Sequence, residues 1–229
     1  MKKRISLTIL AILLCLAGWS QKFEPQTLVE DNFEGSSYFD WREYSDKNIK
    51  ILVQDGYLLV QSNFKDSLVL ANTDLPVDPA LDFVVEADIE VKSLEDKKGF
   101  GILIDEDDNL ESYVFLFYEN KVCRMRFGDK PINPKEDLIK LKSKQSKSVL
   151  NKITSKVEKN ASESVKEVKG TLVHIRLEWN NGKYIVYANN MKVVSLKAKQ
   201  IYQPRFAFIV TPKNEIKVHS MTLKQTVKD

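Results

Sequence analysis

Hydrophobic and polar residues alternate along most of the chain. The clearest stretch is 82–91, where apolar side chains at every second position share one face and Glu86, Asp88 and Glu90 share the other. Successive side chains of a strand point to opposite faces of its sheet, so this stretch is predicted to be an antiparallel strand with one buried face. The same pattern predicts strands at 49–53, 57–62, 67–71, 99–104, 112–118, 121–127, 171–179, 183–188, 192–196, 205–210 and 215–224.

Short turn signals separate these strands. Asp55-Gly56 and Asn181-Gly182 are typical of tight hairpins, and Glu119-Asn120 joins two further strands. Many short strands connected by tight turns predict an all-β fold, an antiparallel two-sheet sandwich of the jelly-roll type.

The first twenty residues differ from the rest of the chain. Basic residues at 2–4 precede an apolar run at 5–16, and Gly18 and Ser20 follow at the positions that a signal peptidase reads. We therefore expect a signal peptide at 1–20 and one sandwich domain at 21–229, which is secreted, periplasmic or at the cell surface. The apolar run is shorter than the roughly 20 residues that span a bilayer, so no transmembrane segment is predicted in the mature protein. Cys15 offers a lipoprotein alternative, but Leu14 before it is large, which favours soluble export.

Charge and cysteine content exclude two classes of protein. The chain has 35 basic and 32 acidic residues, and removal of Lys2, Lys3 and Arg4 with the signal leaves 35 − 3 = 32 of each. A balanced mature chain gives no support to nucleic-acid binding, which needs a concentrated basic surface. Cys123 is then the one remaining cysteine, so no internal disulfide is expected; it shares a face with Met125 and Phe127 and is predicted to be a core residue.

One stretch, 129–169, interrupts the alternation. It is rich in lysine, and apolar residues recur at every fourth position in its second half: Val149, Ile153, Val157, Ala161 and Val165. We interpret it as an insertion in the sandwich, either a solvated loop or a helix that covers a sheet edge or binds a partner. Its positive charge leaves the rest of the mature chain acidic, and an anionic polysaccharide could exploit that polarity.

The order of several segments resembles the concanavalin A-like lectin/glucanase superfamily, in particular its laminin G-like and DUF1080-like bacterial members. The resemblance implies a jelly-roll fold whose members include lectins, glycoside hydrolases, lyases and adhesion domains, so it does not choose a function. It depends on Asp31-Asn32-Phe33, Trp41, Gln54-Asp55-Gly56-Tyr57-Leu58, the 82–91 strand, Gly99-Phe100-Gly101-Ile102-Leu103, Tyr113-Val114-Phe115, Trp179-Asn180-Asn181-Gly182, Tyr187-Ala188-Asn189-Asn190 and Val218-His219-Ser220-Met221-Thr222-Leu223.

An acidic stretch at 105–111 allows two kinds of chemistry. Glu106, Asp108 and Glu111 match the spacing of the acidic catalytic motif in the laminarinase-type glycosidases of the superfamily that the sequence resembles. The turn-like composition of the stretch instead favours a solvated hairpin, so we predict no catalytic residue there. Asp105, Asp107 and Asn109 alternate as the first ligands of a calcium loop do, and they are the candidate calcium site, although the glycine and the closing acid of that loop are missing.

Polar positions on two other strands are the candidate ligand-binding residues. Arg124 and Arg126 alternate on one strand, and His174, Arg176 and Glu178 alternate on another. If those strands are neighbours in the concave sheet, they form a polar, partly cationic groove suited to a sugar. Tyr38, Phe39, Trp41 and Tyr44 form an aromatic group near the mature start, and the resemblance implies that Trp41 is structural.

The leading hypothesis is therefore a non-catalytic binding domain that recognises a glycan or a cell-envelope partner. One alternative is a glycan-cleaving enzyme in which carboxylates such as Glu86, Asp88 or Glu178 meet in the groove. The other is a structural envelope domain with no small ligand. An enzyme should bring two acids beside a histidine or tyrosine, a binder should expose aromatic and amide groups, and a structural domain should present an apolar patch.

Overall fold

A computed structural model describes residues 25–54, 56–95, 98–106, 111–118, 121–128, 171–198, 200 and 204–226, with the backbone alone at 105–106, 111–112, 121 and 123–128. The predicted signal peptide and the predicted insertion lie outside these residues. All regular structure within these residues is β-strand. They contain no helix that is long and apolar enough to cross a membrane. The strands are β1 (Gln26–Asp31), β2 (Tyr44–Ser45), β3 (Ile49–Gln54), β4 (Tyr57–Ser62), β5 (Val69–Asp74), β6 (Phe83–Val91), β7 (Phe100–Glu106), β8 (Glu111–Tyr118), β9 (Lys121–Gly128), β10 (Leu172–Asn180), β11 (Lys183–Ala188), β12 (Met191–Lys197), β13 (Pro204–Val210) and β14 (Asn214–Gln225).

Two antiparallel sheets form a sandwich. The large sheet has nine strands in the order β12-β11-β10-β6-β14-β4-β3-β2, and β1 pairs with the second half of β14. The small sheet has five strands in the order β5-β13-β7-β8-β9. The fold class predicted from alternation is thus confirmed: an all-β, two-sheet antiparallel sandwich.

Every strand predicted from alternation is present, with ends that differ by a few residues. The sequence missed β1 and β2. Most side chains of β1 are exposed, and β2 has only two residues, so neither carries a period-two pattern of buried positions. β1 pairs with β14, and β2 pairs with β3. Backbone hydrogen bonds can hold such strands in the sheet even when they have no buried face.

The core lies between the inner faces of the two sheets. Tyr113 of β8 and Tyr184 of β11 are fully buried with ring centroids 5.2 Å apart, so they join one sheet to the other. Trp41 is 5% exposed and stacks on Phe208 of β13 at 5.6 Å, which places the loop after β1 against the small sheet. The expectation that Trp41 is a core residue is confirmed.

Tight turns hold the hairpins in register. Asn181 and Gly182, with φ of 46° and 74°, link β10 to β11. Asn189 and Asn190, with φ of 50° and 64°, link β11 to β12. Two consecutive left-handed residues are the geometry of the two-residue turn that matches strand twist, which explains the choice of Asn and Gly there.

The outer faces of the two sheets differ in kind. On the small sheet, the residues that alternate with the core positions are aliphatic and at most 5% exposed: Leu70, Leu103, Val114, Leu116, Ala207 and Ile209. On the large sheet, the corresponding positions of β6, β10 and β14 are mostly polar and half-buried. A polar sheet face therefore exists, and it belongs to the large sheet.

Candidate functional site

Three carboxylates run down the middle of the polar face, which we define as the outer face of β11, β10, β6, β14 and β4. Glu86, Asp88 and Glu90 alternate along β6 with the buried Val85, Ala87 and Ile89, so all three point outward. They are half-buried because β10 and β14 flank β6 on either side. Each carboxylate therefore has close neighbours on two strands.

Asp88 links the two flanking strands. Its register partners are His174 on β10 and Ser220 on β14. The His174 Nδ1 lies 2.9 Å from Asp88 Oδ1, and the Ser220 hydroxyl donates to Asp88 Oδ2 over 2.8 Å. Because the carboxylate, not the imidazole, stands in the middle, this trio orients a histidine and does not activate the serine as a nucleophile.

Glu90 forms a second carboxylate–histidine pair. The His219 Nε2 lies 3.0 Å from Glu90 Oε2. A register shift between Val218 and Ser220 on β14 adds one residue to that strand, so His219 and Ser220 both lie on the outer side. Both histidines of the chain thus lie on this face, each against a carboxylate of β6.

Arg176 is the centre of the charged cluster nearer β11. Its Nη2 forms an ion pair with Glu178, and its Nε lies 3.7 Å from Glu86 Oε1, which is too long for a hydrogen bond. The Nε is buried, and no group in the described part of the chain forms a hydrogen bond with it. Lys224 Nζ contacts the other oxygen of Glu86 at 2.5 Å, so Glu86 is held from both sides.

Two tyrosine rings lie at opposite ends of the polar face, each beside a cation. The Arg176 guanidinium lies 5.5 Å from the centre of the Tyr187 ring, and Lys217 Nζ lies 4.9 Å from that of Tyr57. Gln54 donates to the Tyr57 hydroxyl over 3.1 Å. Four strand spacings separate β11 from β4, so the rings are about 19 Å apart across the sheet.

The Tyr187 hydroxyl is electrostatically coupled to its neighbours. Its pKa is raised from 10.0, first because burial disfavours the phenolate and second because the Glu178 carboxylate lies close to it. Arg176 acts in the opposite direction. Arg176 pairs with Glu178 and lies beside the Tyr187 ring, so the three side chains form one interacting cluster.

The structure brings part of the predicted ligand-binding set together. His174, Arg176 and Glu178 alternate on the polar face, as expected. The predicted groove required the strands of Arg124 and His174 to be neighbours in one sheet, and they are not. β9, which carries Arg124 and Arg126, is the edge strand of the small sheet, and β10 belongs to the large sheet. The two arginines are register partners of the core residues Phe115 and Tyr113, and their side chains are outside the described ones, so their role stays a prediction.

The acidic stretch at 105–111 is where the sequence placed it, between two paired strands. Glu106 ends β7 and Glu111 begins β8, and Asp105 pairs with Ser112, so the predicted hairpin is confirmed. Asp107, Asp108 and Asn109 lie outside the described residues, as does the side chain of Asp105. The calcium prediction therefore stays a prediction. Within the described part of the chain, no group of three or more His, Cys, Asp or Glu side chains could hold a metal ion.

The polar face also contains residues that the sequence did not single out. Tyr57 lies on β4, Tyr187 on β11, and Lys217 and His219 on β14, and these three strands meet only in the folded sheet. A signal was present for His219, because the buried residues of β14 shift from Val218 to Met221, a spacing of three that marks the extra residue.

No protein-family model and no characterised protein sequence matches this chain. Its fold does match solved structures. A sialidase structure matches with a TM-score of 0.51 and 10% identity, over 85% of this chain and 18% of the sialidase, so the chain spans about a fifth of that protein. An endo-acting O-glycanase of the human gut microbiota that initiates mucin breakdown matches with a TM-score of 0.51 and 10% identity, over 87% of this chain and 99% of the other.

A third structure, a Bacillus subtilis protein of unknown function with a galectin-like fold, matches with a TM-score of 0.50 and 9% identity over 89% of this chain and 98% of the other. These likenesses concern the fold alone, because the identities are so low. The chain shares the β-sandwich fold of these proteins, and its place in the concanavalin A-like superfamily stays a prediction.

Proposed function

We propose that this protein is an exported, non-catalytic recognition domain that binds a glycan on the polar face of its large sheet. The observation that carries the proposal is the pair of tyrosine rings, Tyr187 and Tyr57, held beside cations and carboxylates on one sheet face. Aromatic faces bind the apolar side of a sugar ring, and fixed charged or amide groups bind its hydroxyls.

The ion pairs of this face support binding more than they support stability. Exposed pairs contribute roughly 0–1 kcal/mol each. The side chains of His174 and Asp88 are 36% and 45% exposed, and that of Arg176 is 41% exposed. A network of such pairs stabilises the fold little, but it holds donors and acceptors in place before a ligand arrives, which lowers the entropy cost of binding.

Fold likeness gives further support. Two of the structures with the same sandwich are named as a sialidase and as an O-glycanase, and both names describe proteins that act on glycans. The rival proposal, a glycan-cleaving enzyme, would use carboxylates such as Glu86, Asp88 or Glu178. Glu86 and Glu178 both form ion pairs with Arg176, and Asp88 contacts His174 and Ser220. Carboxylates held in this way fit a charged binding surface better than a free acid and base.

The test is a glycan array probed with purified protein from Gln21 to Asp229, with and without calcium. We expect specific binding to a small group of glycans, and a loss of about tenfold or more in affinity for Tyr187→Ala, since stacking and the Arg176 position are lost together. The matched control is Tyr38→Ala, which removes a ring that is 80% exposed and outside the polar face.

A blank array on folded protein, or equal affinities for Tyr187→Ala and Tyr38→Ala, contradicts glycan binding at this face. Release of new reducing ends from a bound glycan contradicts the non-catalytic part and favours the enzyme. Dependence on calcium would indicate that the acidic turn at 105–111 holds a metal ion.

A further inference from the structure

The outer face of the small sheet is apolar and closed to solvent. Its side chains alternate with the core positions of β5, β13, β7 and β8 and are at most 5% exposed. We call it the aliphatic face, and its members are Leu70, Leu103, Val114, Leu116, Ala207 and Ile209. The four strands are neighbours, so the aliphatic face is one continuous surface roughly 14 Å wide.

The burial of the aliphatic face requires a further layer of atoms above it. Neighbours in a sheet shield a side chain only from the sides, and Ile185 on the polar face accordingly stays partly exposed. Leu116 and Ile209 are 0% and 1% exposed, yet neither belongs to the core between the sheets. The strands of the described residues form two sheets that pack through their inner faces, so no described strand supplies that layer.

Two long stretches of the chain lie outside the described residues, 1–24 and 129–170. The first consists mostly of the predicted signal peptide, which leaves on export. The second begins directly after Gly128, the last residue of β9 at the edge of the small sheet, and leads to Leu172 of β10 in the large sheet. The sheets of a sandwich lie about 10 Å apart, a distance that a few extended residues span. The 129–170 stretch is therefore far longer than the connection needs, and it starts beside the aliphatic face.

The second half of this stretch carries the apolar side chains that such a layer needs. Mostly polar residues separate its apolar positions, which recur at every fourth residue: Val149, Ile153, Val157, Ala161 and Val165. Residues four apart share one side of a helix, and such a stripe from Val149 to Val165 would be about 24 Å long. It is therefore long enough to cross the aliphatic face, with its lysines on the opposite side.

We propose that the apolar side of segment 148–168 packs on the aliphatic face and adds a third layer to the sandwich. The occupant is this segment of the same chain and not a second copy, because its attachment to β9 gives it a high effective concentration at the face. The packed segment turns its lysines to solvent, on the side of the molecule opposite the polar face.

The first test is methyl NMR of the protein from Gln21 to Asp229, with the methyl groups of Ile, Leu and Val labelled. We expect nuclear Overhauser effects between the apolar positions of segment 148–168, such as Ile153 and Val157, and the methyl groups of Leu103 or Val114. A sample mixed from differently labelled copies distinguishes contacts within one chain from contacts between two.

The second test is the reactivity of an introduced thiol. Leu103→Cys and Ile102→Cys, each combined with Cys123→Ser, place a thiol on adjacent residues of β7 that face opposite sides of the small sheet. Each is measured alone and with the pair Ile153→Asp and Val157→Asp, since a carboxylate does not pack on an apolar surface. We expect this pair to raise the reactivity of the thiol at position 103 about tenfold or more, and to leave position 102 protected.

A matched pair of changes controls for the added charge. Asn151→Asp with Ser155→Asp adds the same two carboxylates at the same spacing, on the other side of a helical segment. This pair should leave the thiol at position 103 protected. If the first pair exposes both thiols and the control pair exposes neither, the fold depends on the added layer, and the methyl contacts assign it to the aliphatic face.

The proposal is overturned if the methyl groups of Ile153 and Val157 show no contact with the aliphatic face, or if those contacts occur only between copies. It is equally overturned if the two pairs of changes affect the thiol at position 103 alike. A thiol at that position that already reacts freely in the otherwise unchanged chain would show that no segment packs there.

Discussion

Single residues of the polar face act through their neighbours. Arg176 contacts Glu86, Glu178 and the ring of Tyr187, so the orientation of the tyrosine depends on a side chain one strand away. Burial and the Glu178 carboxylate raise the pKa of Tyr187, and Arg176 lowers it. Its titration therefore reports whether this cluster is intact.

Stability at high pH should depend on Tyr187. The pKa of its hydroxyl is higher in the folded chain than the 10.0 of an unfolded one, so its contribution is fully present below pH 10 and is lost as the pH rises through the folded value. We expect Tyr187→Phe to remove this loss, which urea unfolding at pH 9 to 11 measures. A phenolate absorbance titration in which Tyr187→Phe loses no late-titrating tyrosine would contradict this assignment.

Asp31 holds the loop that follows β1 through three hydrogen bonds. It satisfies three donors while 2% exposed, so Asp31→Ala leaves them without a partner in the interior. We expect the free energy of unfolding to fall by about 2–4 kcal/mol. Asp40→Ala, an exposed carboxylate in the same loop, should change it by no more than about 0.5 kcal/mol. Equal effects in urea unfolding would show that Asp31 does not hold the loop.

At the scale of elements, β6 is the strand that organises the polar face. It pairs with β10 and β14 along nearly its whole length, so its alternate carboxylates meet donors from both sides. The extra residue in β14 lets His219 and Ser220 both lie on the outer side, where His219 meets Glu90 and Ser220 meets Asp88. Without that shift, the alternation from the buried Val218 would point Ser220 into the core.

The start of β7 depends on close backbone approach. A Cβ at Gly99 would lie 1.9 Å from the Phe117 carbonyl oxygen, and this glycine also exchanges hydrogen bonds with Thr211. We expect Gly99→Ala to lower stability by about 3 kcal/mol or more, because backbone must move. A Cβ at Gly182 would have no atom within 4 Å, so Gly182→Ala should lower the free energy of unfolding only by the cost of a φ of +74°, about 1 kcal/mol. Thermal unfolding of both variants checks the order, and a milder effect of Gly99→Ala would refute it.

At the scale of the whole molecule, the two outer faces play different parts. The polar face offers oriented side chains, whereas the outer face of the small sheet is aliphatic and closed to solvent. An apolar face that is buried contributes to stability much as the core does. The binding surface of this sandwich is therefore expected on the large sheet.

Truncation of side chains should distinguish the faces. Leu103, on the outer face of the small sheet, is 3% exposed, so Leu103→Ala should cost about 2–4 kcal/mol, as in a core. Ile185, on the polar face, is only half-buried, and Ile185→Ala should cost about 1 kcal/mol. Urea unfolding measures both, and a small effect at Leu103 would mean that the outer face of the small sheet contributes little.

The strands and the sandwich could be predicted from the sequence, because the burial of one face imposes a period of two that survives without tertiary information. The outward positions of His174, Arg176 and Glu178 followed from the same rule. The exposed β1 was missed, since pairing through backbone alone leaves no side-chain pattern.

Alternation determined which residues of each strand face away from the core, and turn residues such as Asn181-Gly182 determined which neighbours form hairpins. Only the tertiary structure decided which strands share a sheet. Arg124 and His174 are equally polar in their patterns, yet β9 and β10 belong to different sheets. Pairing between strands distant in sequence depends on the packing of the whole core, so the cluster of Tyr187, Arg176 and Glu86 exists only once that core has formed.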